Sequence, residues 1–233
     1  MSSMMPAMGA TSPHGELAMS MMWSRMPGQS WLGAATSFVA MWSVMMFAMM
    51  LPSLVPVLRR YRRSLVPVAS PRAVTLTAIV AIAYMTVWAA VGAVIYPPGA
   101  MLASLATTLP TVARSIRVSA GLVVLASGAL QLTPWKRVRL DCWRTAMECA
   151  HHRSANARGA WHHGVQLGAE CVRCGAGLTA SLLALGAMDP KVMVVLTVAG
   201  AVERLAPNAD RVARLVGVAG VVAGAVMIAR AVG

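Results

Sequence analysis

Acidic side chains are scarce in this chain. Seven Asp and Glu stand against 20 Lys and Arg, and charged residues make up only 12% of 233 positions. Apolar residues reach 58% and the mean hydropathy is +0.67, far from the average of water-soluble domains. The signatures of common catalytic sites are missing as well. There is no nucleophile elbow, no phosphate-cradling glycine loop and no H-E-x-x-H zinc motif. Covalent haem attachment needs C-x-x-C-H, and Cys174 is followed by Gly175, so that chemistry is excluded. Residues 1–30 lack the basic start and compact apolar core of a cleavable signal peptide, so none is expected. The expectation is a protein that is not an enzyme.

What is present is apolar sequence in long runs. Uncharged stretches cover residues 31–58, 73–113 and 118–135, with weaker ones at 174–188, 192–202 and 215–229. A helix crosses a hydrocarbon core with ~20 residues. The runs predict six spans, near 33–57, 74–95, 115–133, 165–187, 191–205 and 212–232. The turn at Pro97-Pro98-Gly99 is expected to end the second span, leaving 101–112 as an interfacial or re-entrant segment.

Charge placement orients these spans. Arg59, Arg60, Arg62, Arg63 and Arg72 follow the first run, and Lys136, Arg137, Arg139, Arg144, Arg153 and Arg158 follow the third. By the positive-inside rule both basic loops are cytoplasmic and both termini lie outside. The predicted fold is therefore all-α, a polytopic transmembrane helical bundle in a bacterial inner membrane. Residues 1–30 form a Met-rich extracytoplasmic tail. Residues 31–233 form the membrane domain, with a basic Cys/His loop at 135–163. The expected partner is the bilayer, with other membrane subunits second. Nucleic acid, which a net charge of +13 suggests in a soluble protein, is not expected.

Two stretches carry candidate chemistry. In the first span Met41, Met45 and Met49 follow one i, i+4 ridge, with Trp42, Met46 and Met50 on the next. Thioethers bind Cu(I) without adding charge, although Met also fills irregular space between helices. The second stretch runs from Cys142 through Cys149, His151, His152, His162 and His163 to Cys171-Val-Arg-Cys174. On the predicted topology these thiols face a reducing compartment, which favours metal binding or free thiols over disulfides. Cys171 and Cys174 can chelate one Cu(I) or Zn(II) but need further ligands. Their other reading is as small apolar residues at a helix start. If the segment is helical, Glu170 and Arg173 are one turn apart and can pair. Glu203, beside Arg204, reads first as a solvated anchor and second as an oxygen ligand.

These residues resemble an uncharacterised bacterial family of predicted metal-binding integral membrane proteins. Its pattern W-x-x-M-x-x-A-M-M-x-P-x-x-x-P is matched by Trp42, Met45, Ala48, Met49, Met50, Pro52 and Pro56. Its Q-L-T-P-x-K is matched by Gln131, Leu132, Thr133, Pro134 and Lys136. Its E-[KR]-L-x-P is similar to Glu203, Arg204, Leu205 and Pro207. Its cysteine box is met only by Gly168, Cys171 and Cys174; Arg173, Gly175 and Ala176 replace a Gly, a Cys and the Trp.

The resulting expectation is a membrane accessory protein binding copper, with zinc as a further candidate at the Cys/His segment. The candidate ligands are Met45, Met49, Met50, Cys171, Cys174, Cys142, Cys149, His162, His163 and Glu203. Copper is captured by the tail, held or relayed along the Met41/Met45/Met49 face, and accepted by cysteines. Tail and thiols are placed on opposite faces, so two sites, or one site and a relic, are expected rather than one shared site. The alternative is a non-catalytic helical subunit of a larger complex, such as a copper-dependent oxygenase or oxidase. A secondary transporter would need paired broken helices and buried charges, which the sequence does not display.

Overall fold

A computed structural model describes residues 23, 28–65, 71–108, 110–148, 156–186, 189–206 and 208–232. Among them are seven helices: α1 (Trp31–Ser64), α2 (Pro71–Thr108), α3 (Pro110–Leu132), α4 (Pro134–Glu148), α5 (Ala157–Leu185), α6 (Pro190–Leu205) and α7 (Ala209–Val232). Four of these open on proline, whose missing N–H costs nothing in a first turn and whose φ is already helical. Ser30 caps α1 by accepting from the Gly33 amide at 3.1 Å, and Asn156 caps α5 by accepting from Gly159 at 2.7 Å.

Three helical segments are long and apolar enough to cross a membrane: Trp31–Ser64, Pro71–Leu105 and Ala209–Val232. The count becomes four if α3 and α4, bent by 70° at Thr133, are taken as one broken span. This is fewer than the six spans expected. At 16 residues α6 is about 24 Å long, short of a ~30 Å hydrocarbon core. In α5 the charges of Arg158, Glu170 and Arg173 interrupt the apolar run. The outward faces are nonetheless aliphatic, with Val44 and Phe47 on α1, Val194, Val195 and Val198 on α6, and Leu215 and Val222 on α7 all exposed. An apolar exterior of this extent suits lipid rather than water.

Two other expectations are corrected. The helix does not stop at Pro97-Pro98-Gly99; α2 continues through both prolines to Thr108. Proline removes a backbone donor but keeps a helical φ, and surrounding packing holds the segment in line. Tyr96 and Ala100 are buried there, and the Trp23 indole lies so close over Gly99 that an added Cβ would collide with it. The basic stretch after α3 is helical where it is described: residues 135–148 lie in α4, and His162 and His163 already lie in α5.

Glycine sets how closely the helices approach. Along α3 and α7, a Cβ on Gly128 would fall 2.5 Å from the Val221 amide nitrogen, and one on Gly224 2.5 Å from that of Leu125. Between α2 and α5, a Cβ on Gly164 would fall 2.5 Å from the Val80 carbonyl oxygen. Small residues at such crossings let backbones touch, as in membrane helix pairs. The core spreads from the α1–α2 seam, where Trp42 is fully buried and donates to the Trp88 carbonyl at 3.0 Å.

Gly128→Leu is expected to lower the thermal midpoint of the detergent-solubilised protein by overpacking the α3–α7 seam, at a cost of about 1–3 kcal/mol. Gly33→Ala, near the exposed start of α1, is the control. An unchanged midpoint for Gly128→Leu would show that the seam is not closely packed.

Candidate metal centre

The inward side of α1 is not the face expected from its methionines. Met41 is exposed and Met45 half-buried, whereas Met46, Met49 and Met50 are buried. Trp42 decides the rotation. Its indole fits over Gly92 of α2, which turns the Trp42/Met46/Met50 ridge into the bundle. Pro52 and Pro56 fall in the following turns, where the Ala48 and Pro52 carbonyls lose their helical amide partners. Ser53 turns back to donate to the Met50 carbonyl at 3.0 Å.

Opposite this face stands Cys171, fully buried on α5. Its thiol donates to the Met50 thioether, with Sγ and Sδ 3.8 Å apart. The Tyr84 hydroxyl of α2 donates to the same Sγ at 2.9 Å. From α6, Arg204 Nη1 donates to Met50 Sδ at 3.1 Å and to Ser53 Oγ at 3.3 Å, and its guanidinium lies 5.6 Å over the Trp143 ring. A small cavity of about 20 Å³ adjoins these groups, lined by Met46, Met49, Met50, Thr197, Gly200 and Arg204 among others. That is room for one water-sized body.

The separation of the two sulfurs is chemically informative. Ions of this kind sit about 2.3 Å from sulfur, so two sulfurs on one tetrahedral ion are ~3.8 Å apart. Met50 and Cys171 already have that spacing. Residues from the thioether stretch and the thiol stretch are thus in direct contact. The reason is helix length. Beginning at Ala157, α5 carries Cys171 about 21 Å along its axis, away from the helix start and into the bundle.

A second polar cluster gathers at the Cys174 turn of α5. Lys136 Nζ is 2.8 Å from Glu203 Oε2 and donates to the Cys174 carbonyl at 2.8 Å, while Gln131 Nε2 donates to Glu203 Oε1 at 2.7 Å. Lys136, Glu203 and Gln131 are all buried. Glu203 is thus no solvated anchor, and both its oxygens are engaged. Cys174 packs there with Leu140, Ala209 and Ala213.

The remaining candidates are dispersed. Cys142 is half-buried on α4, His162 is exposed, and His163 is buried with its ring stacked on Tyr61 at 5.5 Å. Cys149, His151 and His152 lie outside the described residues, as does the Met-rich tail apart from Trp23 and residues 28–30. Among the described residues no three His, Cys, Asp or Glu side chains converge as a metal site. A zinc site in the Cys/His segment has no support there. The expected Glu170–Arg173 pair is present at 2.6 Å.

The model of a family described as a copper chaperone, PpoB2, matches residues 39–227. The chain belongs to this family. No curated protein and no solved structure matches it. For a copper chaperone the buried donors are apt: thioether and thiol are soft ligands suited to Cu(I), and copper here is cargo. Sequence reasoning missed Tyr84, which carries no motif, and took Arg204 only for Glu203's neighbour. The E-[KR]-L-x-P element was the available signal for Arg204.

Breaking one half of the buried ion pair leaves an unanswered charge. Lys136→Met is expected to destabilise the protein by about 3–5 kcal/mol, and Lys136→Met/Glu203→Leu by less than that. Denaturant unfolding in detergent measures both. Equal losses for single and double variants would show that the two charges do not answer each other.

Proposed function

We propose that this copper chaperone is a multi-pass inner-membrane protein that holds one Cu(I) between α1 and α5 and passes it on by sulfur-to-sulfur exchange. The observation carrying this reading is the Met50 Sδ–Cys171 Sγ separation of 3.8 Å, with both residues buried. Met46 and Met49, beside the cavity, are the further thioethers within reach of the same ion. Cys174, one turn beyond Cys171, is the second thiol available to it. Thioethers hold Cu(I) without adding charge, so part of the ligand set can release the ion by rotating away.

The position along α1 suits a relay. Met50 lies nine residues before Arg59, about 14 Å along the helix, and 19 residues after Trp31, about 28 Å. With the basic end cytoplasmic, the ion sits within the bilayer and nearer the inner face. The thioethers of the tail, Met1 to Met26, are then the capturing end. The Tyr61–His163 stack lies at the basic end of α1, so His163 is nearer the cytoplasmic exit than the binding point.

Purified protein under reducing conditions is expected to carry about one Cu(I) per chain, by elemental analysis and by competition with a chromophoric Cu(I) chelator. X-ray absorption should give a sulfur shell at about 2.3 Å. Met50→Leu and Cys171→Ser should each lower affinity, whereas Met45→Leu, on the half-buried ridge, should leave it unchanged. Absence of copper from the wild type, or wild-type affinity in both Met50→Leu and Cys171→Ser, would overturn the reading.

A further inference from the structure

Arg204 is the anomalous group beside this site. It is buried, and its hydrogen-bond and ring partners are a thioether, a hydroxyl and the face of a tryptophan. Among the described residues, the ion pairs are Lys136–Glu203, Arg137–Asp210 and Arg173–Glu170, and Arg204 is in none of them. A guanidinium is always charged and costly to bury, and the carboxylate of its chain neighbour Glu203 is already engaged by Lys136 and Gln131. The guanidinium also stands where a cation is proposed to bind. An ion held by thioethers alone would place a second positive charge against it.

We propose that Arg204 determines which cargo the site accepts by matching the charge of the loaded complex. This inference rests on the Cu(I) site proposed above. Cys171 and Cys174 are one turn apart on α5; Arg204 donates to the Met50 thioether that Cys171 touches, and its Nη2 faces Gly175, the residue after Cys174. Cu⁺ binding to the two thiols forms two Cu–S bonds and releases two protons, giving a bis-thiolate of charge −1. No electron is transferred. With Arg204 the loaded site is then neutral. Zn²⁺ bound by the same two thiolates is already neutral and leaves the guanidinium unanswered. The buried positive charge therefore favours the monovalent ion. Gly175 leaves the room for this arrangement: a Cβ there would fall 2.8 Å from Arg204 Nη2.

The test compares Cu(I) and Zn(II) affinities of the full chain in detergent, each by chelator competition. Arg204→Met is expected to weaken Cu(I) binding about tenfold or more and leave Zn(II) binding unchanged. Arg204→Lys should restore Cu(I) affinity. Equal weakening for both ions would mark Arg204 as merely structural and overturn the proposal, as would unchanged or tighter Cu(I) binding. Gly175→Ala, which keeps the charge and displaces the guanidinium, should lower the Cu(I)/Zn(II) affinity ratio in the same direction. An unchanged ratio there overturns the proposal even if Arg204→Met does not fold. Failure of the underlying site would look different, because Met50→Leu and Cys171→Ser would then leave Cu(I) affinity intact.

Discussion

The Lys136–Glu203 ion pair fixes the position of everything near the proposed site. It is short, closed to solvent and fully satisfied, with Gln131 on one carboxylate oxygen and Lys136 on the other. Lys136 also holds the Cys174 carbonyl, so one ammonium joins α4 to α5 and α6. Because Glu203 and Arg204 are consecutive on α6, pinning the carboxylate to Lys136 aims the guanidinium at Met50. In a low-dielectric bundle such a pair contributes register more than net stability, since desolvation offsets much of the attraction. A shift of α6 by one residue would put Arg204 or Val202 where Glu203 meets Lys136.

Some of this organisation was legible in the sequence. The i, i+4 ridges of methionine on α1 and the Glu170–Arg173 pair lie within single helices, where spacing alone sets geometry. The direction of the methionine face was not legible. It depends on the Trp42 indole meeting Gly92, a pairing between helices that no local period encodes. The same holds for Met50, Cys171 and Arg204, which lie 121 and 154 residues apart in the chain and meet only after packing. Span boundaries failed where a local rule met a tertiary one. Proline at 97 and 98 reads as a stop, yet packing around Tyr96, Gly99 and Ala100 carries α2 past it.

The histidine pair shows what residue type alone leaves open. Adjacent histidines at 162 and 163 looked like ligands because imidazole is a common one. On a helix, however, consecutive residues point about 100° apart. One of the two is exposed and the other stacks on Tyr61. Residues i and i+3 or i+4 are what a helix brings together, and Cys171 and Cys174 satisfy that condition where the histidines do not.

A chaperone has to release what it binds, and the site's composition bears on this. A rigid tetrathiolate would hold Cu(I) tightly and exchange it slowly. Cys171 is held by Tyr84 and Met50, whereas Cys174 packs among Leu140, Ala209 and Ala213, so in the proposed site the second thiol and the adjoining thioethers would have to rotate to reach an ion. Methionine rotates at little cost and carries no charge, so each step of ligand exchange leaves the electrostatics of the bundle unchanged. The fixed charge of Arg204 then acts mainly on the thiolate-bound state. In the proposed site affinity would reside in the two thiolates and mobility in the thioethers, and an ion would move along the methionine face only after one thiolate had let go.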